Sequence, residues 1–294
     1  MLRFVLTHHR AVALMVLVAL LWSTAGVVTR HLESARSFEV TFWRSFFTVL
    51  SMLVILPLLR GKSVFTRMAH AGALLWLSGL CWSVMFTAFM VALMLTTVAN
   101  VLVALALGPL FTALLARLFT GHRIAPRTWG AIALAGVGIV WMYGGQADFS
   151  SQLTGTLIAL LAPIAGAANW TIVQQSKAHG RGVDLIPAVL VGGIISCAVT
   201  LPLAWPMTAT VHDIALLALL GLVQLAIPCV LSVWCASVLK APEIALLAML
   251  EVIFGTLLAW VGAGEVPGSS VLYGGALVIT ALVMNEILGW KNKA

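Results

Sequence analysis

The chain has 294 residues, of which 62% are hydrophobic and only 9% are charged. Soluble domains carry about 25% charged residues, so this composition excludes a water-exposed fold and predicts an all-α integral membrane protein. The net charge of +7 comes mainly from basic residues in short loops beside apolar segments. Such residues set the orientation of a membrane protein, and we expect no nucleic-acid partner.

Ten apolar segments are each long enough to cross, as a helix, a bilayer core about 30 Å thick. These predicted spans 1 to 10 cover residues 11–30, 38–59, 72–93, 97–118, 127–144, 153–174, 186–205, 213–238, 243–262 and 270–289. The loops between them are short, so we expect no soluble domain and no ATP-binding module. The lipid bilayer is the expected environment of nearly the whole chain.

Basic residues alternate between the two sets of loops. The even-numbered loops and the two termini contain thirteen of the sixteen Lys and Arg residues, whereas the odd-numbered loops contain only Arg30 and Arg36. Because cytoplasmic loops are enriched in Lys and Arg, both termini are predicted to be cytoplasmic. The remaining basic residue, Arg44, lies inside span 2.

Spans 4 and 9 are similar in sequence. A shift of 143 positions aligns "NVLVALALGPLFTALLARLFTGH" (100–122) with "EIALLAMLEVIFGTLLAWVGAGE" (243–265). The first copy ends in a cluster of arginines and the second ends without a cation, so the two cross in opposite directions. Two inverted repeats of five helices, residues 1–146 and 147–294, are therefore predicted, an arrangement found in transporters with a site between the repeats.

Four stretches resemble the EamA-type domains of the drug/metabolite transporter superfamily. They are "LLWSTAGVVTR", "FWRSFF", "GPLFTALLARLFTGHRIAPRTWGAIALAGVGIV" and "KAPEIALLAMLEVIFGTLLAWVGAGE". The resemblance implies a ten-helix secondary transporter of the bacterial inner membrane, usually an exporter of amino acids or related metabolites. It also implies a central cavity lined by spans 1, 3, 4, 6, 8 and 9. The chain departs from the family pattern at His122, where Glu is usual, and at Val252, where Pro is common.

Polar and aromatic residues inside these spans are the candidates for substrate binding, because small-molecule sites combine an apolar wall with a few polar groups. The candidates are Trp22 and Gly26 in span 1, Ser78, Trp82, Met85 and Phe89 in span 3, Asn100 in span 4, Asn169 and Trp170 in span 6, and Gln224 and Ser232 in span 8. Ordinary contacts between helices explain any single one of them equally well.

Two ionisable residues lie at span depth, Arg44 and Glu251, and such residues are functional candidates by default. Glu251 either contacts substrate or a coupling proton, or forms a structural hydrogen bond between helices. For Arg44 the expectation is structural, with the side chain pointing outward or pairing with Glu39.

The leading hypothesis is a transporter of a small, partly apolar metabolite such as an amino acid, aromatic or aliphatic. The alternative is a multidrug exporter in which Glu251 binds an organic cation or a proton. An enzyme is not expected, because the His and Asp residues lie outside the spans or at their edges. The four cysteines are interpreted as small hydrophobic residues, so no metal and no cofactor is expected. The oligomeric state stays open, with a monomer as the working expectation.

Overall fold

The computed structural model describes residues 6–120, 126–143, 149–178, 184–235, 238–239, 244 and 247–291. Every regular element in these ranges is a helix. The α-helices are α1 (His8–Thr29), α2 (Ser37–Arg60), α3 (Val64–Ala69), α4 (Ala73–Leu95), α5 (Val98–Ala106), α6 (Gly108–Thr120), α7 (Pro126–Tyr143), α8 (Phe149–Ala178), α9 (Pro187–Ala204), α10 (Val211–Leu219), α11 (Ile227–Cys235), α12 (Leu250–Ala263) and α13 (Ser269–Lys291). A π-helical segment, Leu220–Ala226, joins α10 to α11.

Seven helical segments in the described ranges are long and apolar enough to cross a bilayer. They are His8–Thr29, Ser37–Arg60, Ala73–Leu95, Val98–Leu115, Leu153–Ile172, Pro187–Ala204 and Val211–Cys235. Three shorter apolar helices, Trp129–Gly138, Leu250–Ala263 and Ser269–Ala281, lie at the positions of predicted spans 5, 9 and 10. The protein is therefore a multi-pass membrane protein whose described elements are all helical.

Predicted span 4 is not one continuous α-helix. The α-helix is interrupted at Leu107, whose N–H donates to the carbonyl of Ala104 at 3.2 Å. This bond reaches three residues back instead of four, so the turn is tighter than an α-helical one. The interruption lies just before Pro109, which lacks a backbone N–H and cannot form the α-helical hydrogen bond to the carbonyl of Leu105. The composition of the stretch indicated a span, but the Gly-Pro pair divides it into α5 and α6.

The surface of the bundle is apolar and part of its interior is polar. Leu58 is 77% exposed, Trp141 is 62% exposed and Val261 is 85% exposed. Arg44 and Gln224, by contrast, are buried. Exposed large apolar side chains suit a lipid environment, and buried polar groups require partners inside the protein.

The helix contacts connect early and late parts of the chain throughout the bundle. α1 packs against α11 and α12, and α4 packs against α8 and α9. α2 packs against α9, α10 and the π segment, while α5 packs against α8 and α12. α7 packs against α13. The interior between α1, α2, α4 and the π segment contains Arg44 and Gln224.

Candidate functional site

Arg44 on α2 is buried in the interior of the bundle, with 1% of its surface exposed. Its Nη1 donates to Oε1 of Gln224 at 3.2 Å, and its Nη2 donates to the backbone carbonyl of Phe86 at 2.7 Å. The guanidinium carbon lies 5.8 Å from the ring centre of Phe86 and 5.9 Å from that of Phe89, within the range of cation–π attraction. Arg44 therefore joins α2 to α4 and to the π segment.

The expectation that Arg44 points outward or pairs with Glu39 is wrong. The carboxylate of Glu39 instead accepts hydrogen bonds from the backbone N–H groups of Thr208 and Ala209, at 2.9 and 2.8 Å. Five residues separate Glu39 from Arg44, which places their side chains about 140° apart around the helix. Within the described ranges, no carboxylate lies within ion-pair distance of Arg44.

Gln224 connects Arg44 to α1, because its Nε2 donates to the backbone carbonyl of Trp22 at 3.3 Å. Gln224 lies in the π segment, which ends shortly before Pro228, a residue that cannot donate a backbone hydrogen bond to the preceding turn. π-helical turns of this kind occur frequently at functional sites. Gly221 lets the segment approach α2, since a β-carbon there would lie 2.8 Å from the backbone oxygen of Arg44.

A chain of three hydroxyl groups lies beside Arg44 and was not among the candidates chosen from the sequence. The Oγ of Ser196 on α9 lies 3.0 Å from Oγ of Ser45 on α2 and 3.0 Å from Oγ1 of Thr87 on α4. Ser45 and Ser196 are buried. The available signal was that all three are polar residues within predicted spans, a property they share with many helix-packing residues.

Four of the predicted site residues lie along the contact of α4 with its neighbours. Oγ of Ser78 donates to Oδ1 of Asn169 on α8 at 2.6 Å, and both residues are buried. Met85 of α4 packs beside Gly166 of α8. The ring of Trp82 lies 5.5 Å from that of Phe86, the residue whose carbonyl binds Arg44. These polar and aromatic groups therefore continue from the surroundings of Arg44 along α4.

Gly26 and Asn100 make contacts away from Arg44. A β-carbon at Gly26 would lie 2.6 Å from a methyl group of Val98, so this glycine allows α1 to approach α5. Asn100 is in the first turn of α5, where its Nδ2 donates to Oγ1 of Thr96 at 3.0 Å. Gly26 and Asn100 therefore contact Val98 and Thr96, at the start of α5 and in the turn before it.

Ser232 and the two predicted tryptophans differ in their surroundings. Ser232 is buried, and its Oγ donates to the carbonyl of Cys229 in its own helix at 2.9 Å. Trp22 and Trp170 are both half-buried, so each retains accessible surface. Of these three residues, Trp22 is the one linked to Arg44, through Gln224.

Glu251 lies in the first turn of α12, the helix that packs against α1. Its backbone carbonyl accepts a hydrogen bond from Oγ of Ser23 at 3.3 Å. The side chain is half-buried and forms no ion pair with any described residue. Ser23 follows Trp22, whose carbonyl binds Gln224, so the backbone of Glu251 and the Arg44–Gln224 pair contact consecutive residues of α1.

One end of the bundle is joined by an ion pair between Arg30, after α1, and Glu265, after α12. Nε of Arg30 lies 2.5 Å from Oε2 of Glu265. The same guanidinium donates to the carbonyls of Leu93 and Thr96 at 2.7 and 2.8 Å, while Oε1 of Glu265 accepts from the N–H of Val98 at 2.7 Å. This closed end therefore ties α1, α4, α5 and α12 together.

Asp213 in the first turn of α10 joins two further loops at the same end. Its carboxylate accepts hydrogen bonds from the backbone N–H groups of Glu33, Ser34, Ala35 and Thr210, at 2.8 to 3.3 Å. Asp213 and Glu39 together bind residues 208–210 at the loop between α1 and α2. At the opposite end the described ranges contain a more exposed ion pair, between Arg60 and Asp184 at 2.7 Å.

Residues 9–144 match the EamA-like transporter family. This part of the chain belongs to the EamA-like transporter family. It is 26% identical over 185 residues to the uncharacterized transporter YdfC of Bacillus subtilis, in an alignment that covers 62% of this chain and only 60% of YdfC. It is 22% identical over 249 residues to the pseudopaline exporter CntI of Pseudomonas aeruginosa, covering 83% of this chain and 84% of CntI.

A solved crystal structure shares the fold of this chain. The TM-score is 0.63, and the match covers 98% of this chain and 100% of the other chain at 18% sequence identity. At that identity, the likeness concerns the fold alone. Within the part of the chain that the structure describes, no group of three His, Cys, Asp or Glu residues is arranged to hold a metal ion.

Proposed function

We propose that this EamA transporter exports a small metabolite, such as an aromatic or apolar amino acid, across the bacterial inner membrane by alternating access. The observation that carries the proposal is the polar interior around Arg44, Gln224 and Glu251 in a bundle with an apolar surface. A site of this make-up can bind a small polar molecule while the helices around it change their packing.

We further propose that ten spans form two inverted repeats, residues 1–146 and 147–294, with both termini in the cytoplasm. The helix contacts support this. If α1, α2, α4, α5 and α7 are exchanged with α8, α9, α10–α11, α12 and α13, several contacts have counterparts: α1 with α12 becomes α8 with α5, and α4 with α8 becomes α11 with α1. The contact of α7 with α13 maps onto itself, as a two-fold relation requires.

In this orientation the end closed by Arg30 and Glu265 faces the periplasm. The loops at that end are bound to one another through three carboxylates, Glu39, Asp213 and Glu265. Export to the periplasm then requires the network to open. The arrangement supports a cycle in which closure at one end alternates with closure at the other, which is how secondary transporters with inverted repeats work.

The alternative substrate class is an organic cation. It is favoured by one observation: Glu251 retains accessible surface and has no ion pair among the described residues. A carboxylate in this position attracts a cation or takes up a proton. In the proton case Glu251 couples transport to the pH gradient.

Purified protein in liposomes separates these functions. Uptake of radiolabelled leucine, phenylalanine and tetraphenylphosphonium is measured with and without a pH gradient, for wild type and Glu251→Gln. Glu33→Gln is the control, since Glu33 is an exposed carboxylate at the closed end. Gradient-dependent amino-acid uptake that loses its dependence only in Glu251→Gln supports a proton-coupled amino-acid exporter. Uptake of the phosphonium alone supports the alternative, and absence of all three activities contradicts both substrate classes.

A further inference from the structure

We propose that Arg44 is an anion-binding residue of the transport site, and that it binds a carboxylate of the substrate. This inference rests on the proposed transport function and deepens it. It names the chemical group that the substrate must carry, and it assigns to Arg44 a role other than joining helices.

The guanidinium has unused hydrogen-bonding capacity. An arginine side chain has five N–H donors. Arg44 uses Nη1 for Gln224 and Nη2 for Phe86, while its buried Nε has no hydrogen-bond partner among the residues that the structure describes. A buried donor without a partner is unfavourable by about 1–3 kcal/mol, and more when it is charged. Nε and an adjacent Nη form the edge of the fork that binds both oxygens of a carboxylate.

The charge of Arg44 is also uncompensated. In the described part of the protein, its side-chain partners are the neutral amide of Gln224, a backbone carbonyl and two phenylalanine rings. A buried charge is strongly disfavoured unless it is paired. A substrate carboxylate supplies the missing negative charge at the position where the free donor lies.

The partners that Arg44 already has can be exchanged. The bond to Gln224 is 3.2 Å long, at the upper limit for an N–H···O hydrogen bond, and Gln224 lies in a π segment rather than a regular α-helix. Release of Gln224 makes a second guanidinium donor available to the substrate. The same movement changes the link from Gln224 to Trp22, so carboxylate binding is transmitted to α1.

Glu251 lies near the same part of α1, because its backbone carbonyl binds Ser23 while Gln224, the partner of Arg44, binds the carbonyl of Trp22. A molecule with a carboxylate for Arg44 and an ammonium group for Glu251 compensates both charges at once. A permanent cation without an acidic group leaves Arg44 unpaired. The preferred substrate class is therefore the zwitterions and carboxylates.

The test compares binding of acids with binding of their amides. Leucine, phenylalanine and methionine, and the corresponding amino-acid amides, are titrated against detergent-purified wild type, and affinity is read from the shift in melting temperature. We expect at least one acid to bind about tenfold more tightly than its amide, which corresponds to about 1.4 kcal/mol. In Arg44→Gln the acid and the amide should bind equally, whereas Arg44→Lys should keep a reduced preference for the acid.

Arg60→Gln is the matched control, because it removes an arginine from an exposed ion pair at the far end of the bundle. It should bind as wild type does. Equal binding of acid and amide by wild type, or no binding of any acid, overturns the proposal whether or not Arg44→Gln folds. A structural role for Arg44 would lower the melting temperature of Arg44→Gln and leave the preference for acids intact. If no acid is preferred over its amide but the phosphonium is transported in liposomes, the carboxylate site is excluded while the transport function stands.

Discussion

The guanidinium of Arg30 and the carboxylate of Glu265 meet across 235 positions of sequence, with Nε and Oε2 2.5 Å apart. Each partner also binds backbone at the junction of α4 and α5, so the ion pair connects four chain segments. If this end faces the periplasm, the pair holds the transporter closed on that side.

Glu265→Gln should open the closed end more often, because it weakens the ion pair and the charge-assisted bond to Val98. In a variant whose four native cysteines are replaced, a single cysteine at Met85 should react several-fold faster with a membrane-impermeant maleimide added to intact cells. Asp184→Asn, which breaks the ion pair at the other end, is the control. The interpretation fails if the two variants react at the same rate.

Asp213→Asn should destabilise the protein by about 1–3 kcal/mol, because one carboxylate accepts four backbone N–H groups and also forms a capping box with Thr210. Melting in detergent, followed by circular dichroism, measures the change. Asp184→Asn removes an exposed carboxylate and should have a much smaller effect. Equal melting temperatures for the two variants would contradict the capping role.

Gly221→Ala should destabilise the contact between α2 and the π segment by about 1–3 kcal/mol, since the added methyl group meets backbone that cannot move aside easily. A β-carbon there would lie 2.6 Å from the β-carbon of Phe47 and 2.8 Å from the carbonyl oxygen of Arg44. Gly130→Ala is the matched control, because open space surrounds that position. Its melting temperature should be unchanged or slightly higher, and an equal loss in both variants would rule out the steric explanation.

Ser196→Ala should remove the hydroxyl that lies between Ser45 and Thr87, at a cost of about 0.6–1.7 kcal/mol, the range for polar contacts between membrane helices. Thermal unfolding in detergent again provides the measurement. Ser51→Ala, which removes a hydroxyl bonded only to its own helix at Phe47, is the comparison. A larger loss in Ser51→Ala would show that the hydroxyl chain does not stabilise the bundle.

Apolar length and charge were sufficient to predict the helical membrane class. A helix that crosses lipid must satisfy its backbone internally, which makes long apolar runs a direct signal. Apolar length and charge do not locate the interruption at Leu107 or the short helix α3, because both depend on local backbone geometry rather than on average hydropathy. The π segment that interrupts predicted span 8, between α10 and α11, has no signal in hydropathy either.

The candidate site was harder to predict, because the sequence does not distinguish a polar residue that binds substrate from one that contacts a neighbouring helix. The sequence pattern predicts Trp22, Phe89 and Gln224, which lie around Arg44, together with Gly26, Asn100 and Ser232, which contact other parts of the structure. The charge of Arg44 predicts a side chain that points outward or pairs with Glu39, whereas Arg44 is buried and binds Gln224 and Phe86. The direction of the Arg44 side chain around α2, and its hydrogen bond to the carbonyl of Phe86, depend on how the helices pack.

The π segment sets the rotational phase of everything that follows it in the eighth span. One residue advances an α-helix by about 100°, so an insertion or deletion between Leu220 and Ala226 turns α11 by roughly a quarter of a revolution relative to α10. Asp213 anchors the first part of this span, and the second part carries Cys229 and Ser232. The length of this segment, rather than any side chain in it, decides which face of α11 looks into the bundle.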